Sequence, residues 1–220
     1  MYRPDIAVVM AAGEGTRWGE HLGVPKHLIE IDGETLLART VRLLRERIPE
    51  VWVIAPEGDQ RYTRHGGRTR FVRPKPVDVD KFMSSVDLWE RRNALLVYGD
   101  CYFTDEAAAT ITGVEAPRWR IFCRPHASEL TGCPYEEVFA YFFPGIDHGW
   151  VIDCCVRLAG AQILGRLWRS GGWELMHALK GWHMDDPRRW CDCHCVLIDD
   201  YTEDFDHPGD YELWRERRKA

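Results

Sequence analysis

No stretch of this 220-residue chain is both long and uncharged enough to cross a bilayer: the most apolar-looking segment, Trp150 to Trp168, is broken by Asp153, Arg157 and Arg166. The chain also lacks an excess of positive charge. Its 29 Lys and Arg stand against 35 Asp and Glu, a formal net charge of −6, which excludes a general electrostatic footprint for nucleic acid or for an anionic membrane. A phosphate-bearing ligand must then be met by a local concentration of cations. At the amino end, Met1 to Asp5 is polar, and the apolar stretch after it is far too short for the h-region of a secretory leader. Internal repeats, low-complexity tracts and long linkers are missing as well. The expectation is a soluble, cytoplasmic protein with no nucleic-acid or membrane partner. Its length suits one domain, 1–220, burying roughly 70% of its unfolded surface. Composition sets no oligomeric state.

The eight cysteines, at 101, 123, 133, 154, 155, 191, 193 and 195, are an even number. Without a secretory leader, reduced thiols are expected. Cys191, Cys193, His194 and Cys195 form C-D-C-H-C, which has zinc-ligand types but not the paired C-x-x-C turns of closed tetrahedral sites. Buried thiols are the expectation there, with a Cys/His metal site as the alternative.

The most informative stretch is V-M-A-A-G-E-G-T-R-W-G, Val9 to Gly19, closing on Pro25 and Lys26. A short apolar strand, Ile6 to Met10, feeds small residues and two glycines, so the backbone can turn sharply and aim N–H groups at one anion. Arg17 and Lys26 add positive charge behind it. The order of residues differs from the kinase-type loop, which needs Lys and Ser/Thr after its last glycine. It also lacks the third glycine of a dinucleotide fingerprint.

This stretch resembles the signature of the nucleotidyltransferase (pyrophosphorylase) superfamily, in which A-A-G-x-G-T-R, a variable insert and P-K wrap the phosphates of a nucleoside triphosphate. Ala11, Ala12, Gly13, Gly15, Thr16, Arg17, Pro25 and Lys26 all fall in place. The resemblance implies an α/β chain with a three-layer, Rossmann-like nucleotide-diphospho-sugar transferase (GT-A-like) fold and a mixed, mostly parallel central sheet. It implies a nucleotide-binding half, 1–112, and an acceptor-binding half, 113–220. The reaction implied moves NMP from a nucleoside triphosphate to a phosphorylated sugar or alcohol, with Mg²⁺, or Mn²⁺ in its place, and releases pyrophosphate.

The spacing of segments agrees with such a fold. Strands are expected at Val51–Ala55, Thr69–Val72, Ala94–Tyr98, Trp119–Cys123, Val138–Phe143 and Cys195–Ile198, the run Ala94–Tyr98 reading as a central parallel strand buried on both faces. Helices are expected at Glu34–Ile48, where Leu37, Val41, Leu44 and Ile48 recur every three to four residues, and at Asp80–Trp89, Val151–Trp168, Trp173–Leu179 and Pro208–Arg218.

Ligands of open α/β sheets sit beyond the carboxyl ends of strands, and Gly99-Asp100 ends such a strand. By the resemblance, Asp100 holds the metal ion and Gly99 belongs to the nucleotide site with Met10, Ala11, Ala12, Gly13, Gly15 and Thr16. Arg17 and Lys26 would grip the β- and γ-phosphates and stabilise charge on the α-phosphoryl group. The late run I-D-D-Y-T-E-D-F-D-H-P-G-D-Y aligns Asp206 as the second metal ligand, with Asp204 or Asp200 as alternatives and a helix-capping aspartate as the plainer reading. K-F-M-S-S-V-D-L aligns with the family's base-reading segment through Ser85 and Ser84, without its asparagines. For the acceptor, Arg124 and His126 follow a strand and are polar enough to meet a phosphate. Trp150, Trp168, Trp173, Trp182, Trp190, Tyr135 and Tyr141 are expected to be mainly core; a cage for a quaternary ammonium is the alternative, since some relatives activate phosphocholine. Two rival readings remain. One is a GT-A-type glycosyltransferase using an NDP-sugar, which typically grips its metal through D-x-D; the other is a non-catalytic nucleotide-binding protein with the Cys/His metal site.

Overall fold

The computed structural model describes residues 1–13, 15–19, 21–73, 80–183 and 194–219. In chain order the strands are β1 Ile6–Met10, β2 Glu30–Ile31, β3 Glu34–Thr35, β4 Val51–Pro56, β5 Arg68–Val72, β6 Ala94–Tyr98, β7 Cys101–Tyr102, β8 Arg120–Arg124, β9 Glu137–Phe143, β10 Cys195–Leu197 and β11 Glu203–Asp204. The α-helices are α1 Leu36–Arg45, α2 Asp80–Met83, α3 Val86–Trp89, α4 Asp105–Thr112, α5 His148–Ile163, α6 Gly172–Lys180 and α7 Pro208–Arg218.

Seven strands form one sheet in the order β10-β8-β9-β6-β1-β4-β5. The pairs β1·β4, β1·β6, β4·β5 and β8·β10 are parallel, while β9 runs antiparallel to both β6 and β8. The sheet is mixed and mostly parallel, as expected. Because strand side chains alternate between faces, Ala7 and Val9 enter one core with Leu37, Val41 and Leu44 of α1 and Ala107 and Ile111 of α4. Ile6, Val8 and Met10 enter the other, with Val151, Cys155 and Leu158 of α5 and Leu175 and Met176 of α6. Two cores on opposite faces of one sheet make the three layers.

Several boundaries differ from the sequence reading, each for a local reason. β6 is buried on both faces, yet only its β1 side is parallel, because an apolar run reports burial and not the direction of a neighbour. The helix expected from Glu34 begins at Leu36: Glu34 and Thr35 pair with Ile31 and Glu30 around the Asp32-Gly33 turn, and Thr35 Oγ1 then caps α1 by accepting from Ala38 N at 3.2 Å. The helix expected over Asp80–Trp89 is broken into α2 and α3, as Ser84 Oγ donates to Lys81 O and Ser85 Oγ to Phe82 O, competing with the backbone ladder. α5 stops at Ile163 rather than Trp168, with Gly165 at φ 67° just beyond.

The expected aromatic core is only partly realised. Tyr141 is fully buried, but Trp168 is 82% exposed, and Tyr135 and Trp150 also face solvent. Trp173 and Trp182 are half-buried, and Trp190 lies outside the described residues. Cys101, Cys123, Cys154 and Cys155 are buried free thiols, while Cys133 and Cys195 are half-buried. Cys191 and Cys193 lie outside the described residues. Among the described residues no helix is long and apolar enough to cross a membrane.

A third, smaller cluster matters most for the site. Trp18, Ile29, Ile31 and Leu36 pack with Tyr102, Phe205, Tyr211 and Trp214. This aromatic patch ties the glycine-rich loop of the first half to α7 at the far end of the sequence.

Candidate active site

The loop leaves β1 at Met10 and passes close to the end of β6. Gly99 N donates to Met10 O at 3.0 Å, and a Cβ on Gly99 would stand 3.0 Å from that same oxygen. A glycine is therefore needed for the two strand ends to lie this close. Met10 and Ala11 serve the scaffold: Met10 is buried, and Ala11 N is taken by Ile54 O at 2.9 Å. Ala12 and Gly15 are half-buried, and Gly13, Thr16 and Arg17 are exposed. Gly15 adopts φ 61°, a conformation that favours glycine. Beyond it, Trp18 Nε1 donates to His21 O and Val24 O and fixes the loop's return toward Lys26.

The side chain of Lys26 is only 9% exposed, and its ammonium lies 2.6 Å from Asp100 Oδ2 and 3.6 Å from Asp206 Oδ1. Arg17 Nη1 pairs with Asp206 Oδ2. Both expected cations and both expected metal ligands thus meet in one cluster. Asp204 joins them: β7 pairs antiparallel with β11, placing Asp204 opposite Cys101, and Phe205 N donates to Asp100 O at 3.3 Å. One ligand atom each from Asp100, Cys101 and Asp204 lie within 4.8 Å of one another.

Electrostatics in this cluster are lopsided. Burial works against charge on Lys26, but Asp100, Asp204 and Asp206 outweigh it and keep the ammonium charged far above neutrality. Burial likewise pushes Asp100 upward, and Lys26 with His27 more than reverses it, holding the carboxyl well below its usual range. Asp204 goes the other way, raised well above that range by burial and by the Asp100 charge. Glu137, at the start of β9, is pushed up to about 8 by burial and Asp206. Carboxylates outnumber cations here, and their donors are hard oxygens. The Cys101 thiol is held protonated by burial and Asp204. Such a donor set fits Mg²⁺ or Mn²⁺ better than zinc.

The raised Glu137 gives a pH signature. An unfolded chain loses this proton near 4.5 and the folded one near 8, so the folded state binds it more tightly between those values, and stability falls as pH rises through that window. We expect Glu137→Gln, melted without divalent ions, to gain about 5 °C in Tm at pH 8.5, with the difference vanishing near pH 4.5. A constant difference at all pH values would mean that Glu137 is ionised in the folded protein.

Not every expected residue reaches the cluster. Ser85 is turned inward: fully buried, it donates to Phe82 O at 3.1 Å and accepts from Trp89 Nε1 at 3.0 Å, leaving no hydroxyl for a base. Ser84, half-buried, donates to Lys81 O. Arg124 is buried against Glu203, with Nη1 to Oε1 at 2.8 Å and Nε to His126 O at 3.1 Å, so it braces β11 rather than facing an acceptor. His126 Nε2 lies 3.2 Å from Asp199. Asp200 accepts from Thr104 Oγ1 and Thr202 N and supports the start of α4. Asp206 is not the cap of α7; His207 holds that position, in a capping box with Asp210. Sequence reasoning missed His27, whose Nδ1 lies 2.9 Å from Tyr62 Oη, and whose pKa burial pushes down to about 4. It also missed Glu137. A lone acid at the head of the apolar run V-F-A-Y-F-F was the available signal.

Residues 7–112 match the family model of the MobA-like NTP transferase domain. This stretch, just under half of the chain, is therefore similar to that family. A stretch of 80 residues is 35% identical to the bifunctional IPC transferase and DIPP synthase of Thermococcus kodakarensis, covering 33% of this chain and 18% of that protein. The match thus spans about a fifth of the relative's length. The likeness in fold extends beyond the matched stretch. The chain superposes on the CTP:phosphocholine cytidylyltransferase of Streptococcus pneumoniae with a TM-score of 0.61 at 13% identity, over 98% of this chain and 99% of the other. For the inositol-1-phosphate CTP transferase of T. maritima the TM-score is 0.61 at 14% identity, over 99% and 97%.

Proposed function

We propose that this chain, acting as one unit over residues 1–220, transfers NMP from a nucleoside triphosphate to a phosphorylated alcohol or sugar and releases pyrophosphate. The observation that carries this reading is the Lys26 ammonium, buried between Asp100 and Asp206 beside the glycine-rich loop. The structural neighbours named above act, by their names, on phosphocholine and inositol-1-phosphate with CTP, which favours a phosphorylated alcohol and a cytidine nucleotide.

The obstacle in such a transfer is negative charge, since one phosphate oxygen must attack the phosphorus of another. Arg17 and Lys26 neutralise it from the loop side, and the backbone amides between Ala12 and Thr16 orient the triphosphate tail. Asp100 and Asp206, with Asp204 beside them, would hold Mg²⁺, or Mn²⁺ in its place, and the bound ion supplies charge neutralisation at the reacting phosphoryl group. His27, neutral at pH 7 and held to Tyr62, follows Lys26 in the chain and is buried beside the cluster. Ser85 is withdrawn from base reading because its hydroxyl is consumed inside the fold.

The test is pyrophosphate release with CTP, UTP, TTP, GTP and ATP, each against phosphocholine, inositol phosphate, glycerol phosphate and hexose 1-phosphates. Turnover with one nucleotide and one acceptor class is expected. Silence with every pair, together with tight binding of an NDP-sugar, would replace this reading with a glycosyltransferase.

A further inference from the structure

The charges that must separate for this reaction are joined to each other in the structure. Arg17 Nη1 pairs with Asp206 Oδ2, and Lys26 Nζ reaches both Asp100 and Asp206. Asp206 therefore touches both cations. A phosphate oxygen brought to the donors of Arg17 or Lys26 would meet this carboxylate at contact distance, where like charges repel strongly.

Resting on the reading above, we propose that Asp206 is a built-in counter-ion that blocks the two phosphate cations until its carboxylate turns to a divalent ion. Triphosphate and divalent ion then enter by one exchange of ion pairs, each favouring the other. Asp206, and not Asp100, is the movable partner. The Lys26–Asp100 pair is deep, with side chains 9% and 19% exposed, whereas Arg17 and Asp206 are 58% and 32% exposed and form the kind of pair that water releases at small cost. The backbone on either side of Asp206 is fixed, by fully buried Phe205 before it and the capping box of α7 after it, so the exchange needs only a side-chain rotation. Nor is Arg17 there by the drift of a loose loop. Its neighbour Trp18 packs edge-on against Tyr211 of α7, and His21 Nε2 lies 3.3 Å from Glu212, so loop and helix carry Arg17 and Asp206 together.

The proposal is tested by calorimetric binding of inorganic pyrophosphate to the full chain stripped of divalent ions with a chelator. Asp206→Asn is expected to bind pyrophosphate about fivefold tighter than the wild type, the gain corresponding to release of one partly exposed ion pair. The gain should shrink in an Arg17→Gln background, where only the Lys26–Asp206 pair remains, and Asp204→Asn, which adds to the field at Lys26 but contacts neither cation, should show a smaller one. Unchanged or weaker binding by Asp206→Asn overturns the proposal and leaves the proposed transfer standing. Equal tightening by Asp204→Asn, or a gain undiminished by Arg17→Gln, overturns it too, since either would mean a general field and not a specific lock. A wild type that binds neither pyrophosphate nor any nucleotide even with Mg²⁺ present removes the functional reading and this inference with it.

Discussion

Asp100→Asn is expected to lower kcat for pyrophosphate release by about a thousandfold or more while the fold and most nucleotide affinity persist. The amide keeps the size of the carboxylate and an oxygen that accepts from Lys26 Nζ, now 2.6 Å from Oδ2. What it loses is the charge, and charge is what a hard divalent ion requires of its ligand. Nucleotide binding should weaken only a few-fold, because the loop from Ala12 to Thr16 and Arg17 is untouched. Tm should move by a few degrees at most, since Lys26 retains Asp206 at 3.6 Å as a counter-charge. The measurements are steady-state pyrophosphate release, nucleotide binding by calorimetry and a thermal melt. Normal turnover in this variant would remove Asp100 from the metal site.

Lys26→Met should lose at least about a hundredfold in kcat/KM, with both nucleotide affinity and turnover affected. Here the removed group touches charge in the ground state as well as in the transition state. The substitution also leaves Asp100 without its closest cation. Its carboxyl, now held well below the usual range chiefly against the cost of burial by Lys26, should rise and take up a proton at higher pH. Lys26→Arg should not restore activity: the ammonium occupies a slot only 9% exposed, and a planar guanidinium needs a wider one. Full rescue by arginine would mean that only charge matters at this position and that the burial described here is incidental. Proton uptake, followed by NMR titration of the aspartate carboxyls, would report the change in Asp100 without relying on activity.

Part of the site is legible because it is local. A glycine at φ 61°, a close approach of Gly99 to Met10 and an aspartate just past a strand end are demands of backbone geometry, and such demands select residue types at fixed spacing. The rest depends on what lies across the fold. Ser85 sits in a segment that looks exposed and polar, but Trp89 one turn on needs an acceptor for its indole, and the buried hydroxyl supplies it. Arg124 follows a strand as a ligand-binding arginine would, yet Glu203, distant in sequence, claims it. Trp150, Trp168 and Tyr135 have the composition of a core and lie outside it: Trp150 sits on the solvent face of α5, since a helix buries only one stripe, and Trp168 and Tyr135 lie in irregular segments at the surface.

By itself the sequence determined the α/β alternation, the glycine-rich loop with its two cations and the strand-end aspartate, since periodicity and turn chemistry are written in neighbouring residues. Only the tertiary structure decided which carboxylates face Lys26, that Asp206 holds Arg17 across a separation of 189 residues, and that β9 turns antiparallel beside β6. Those outcomes follow from which elements pack together, and Coulomb interactions act through the space that packing creates and not along the chain.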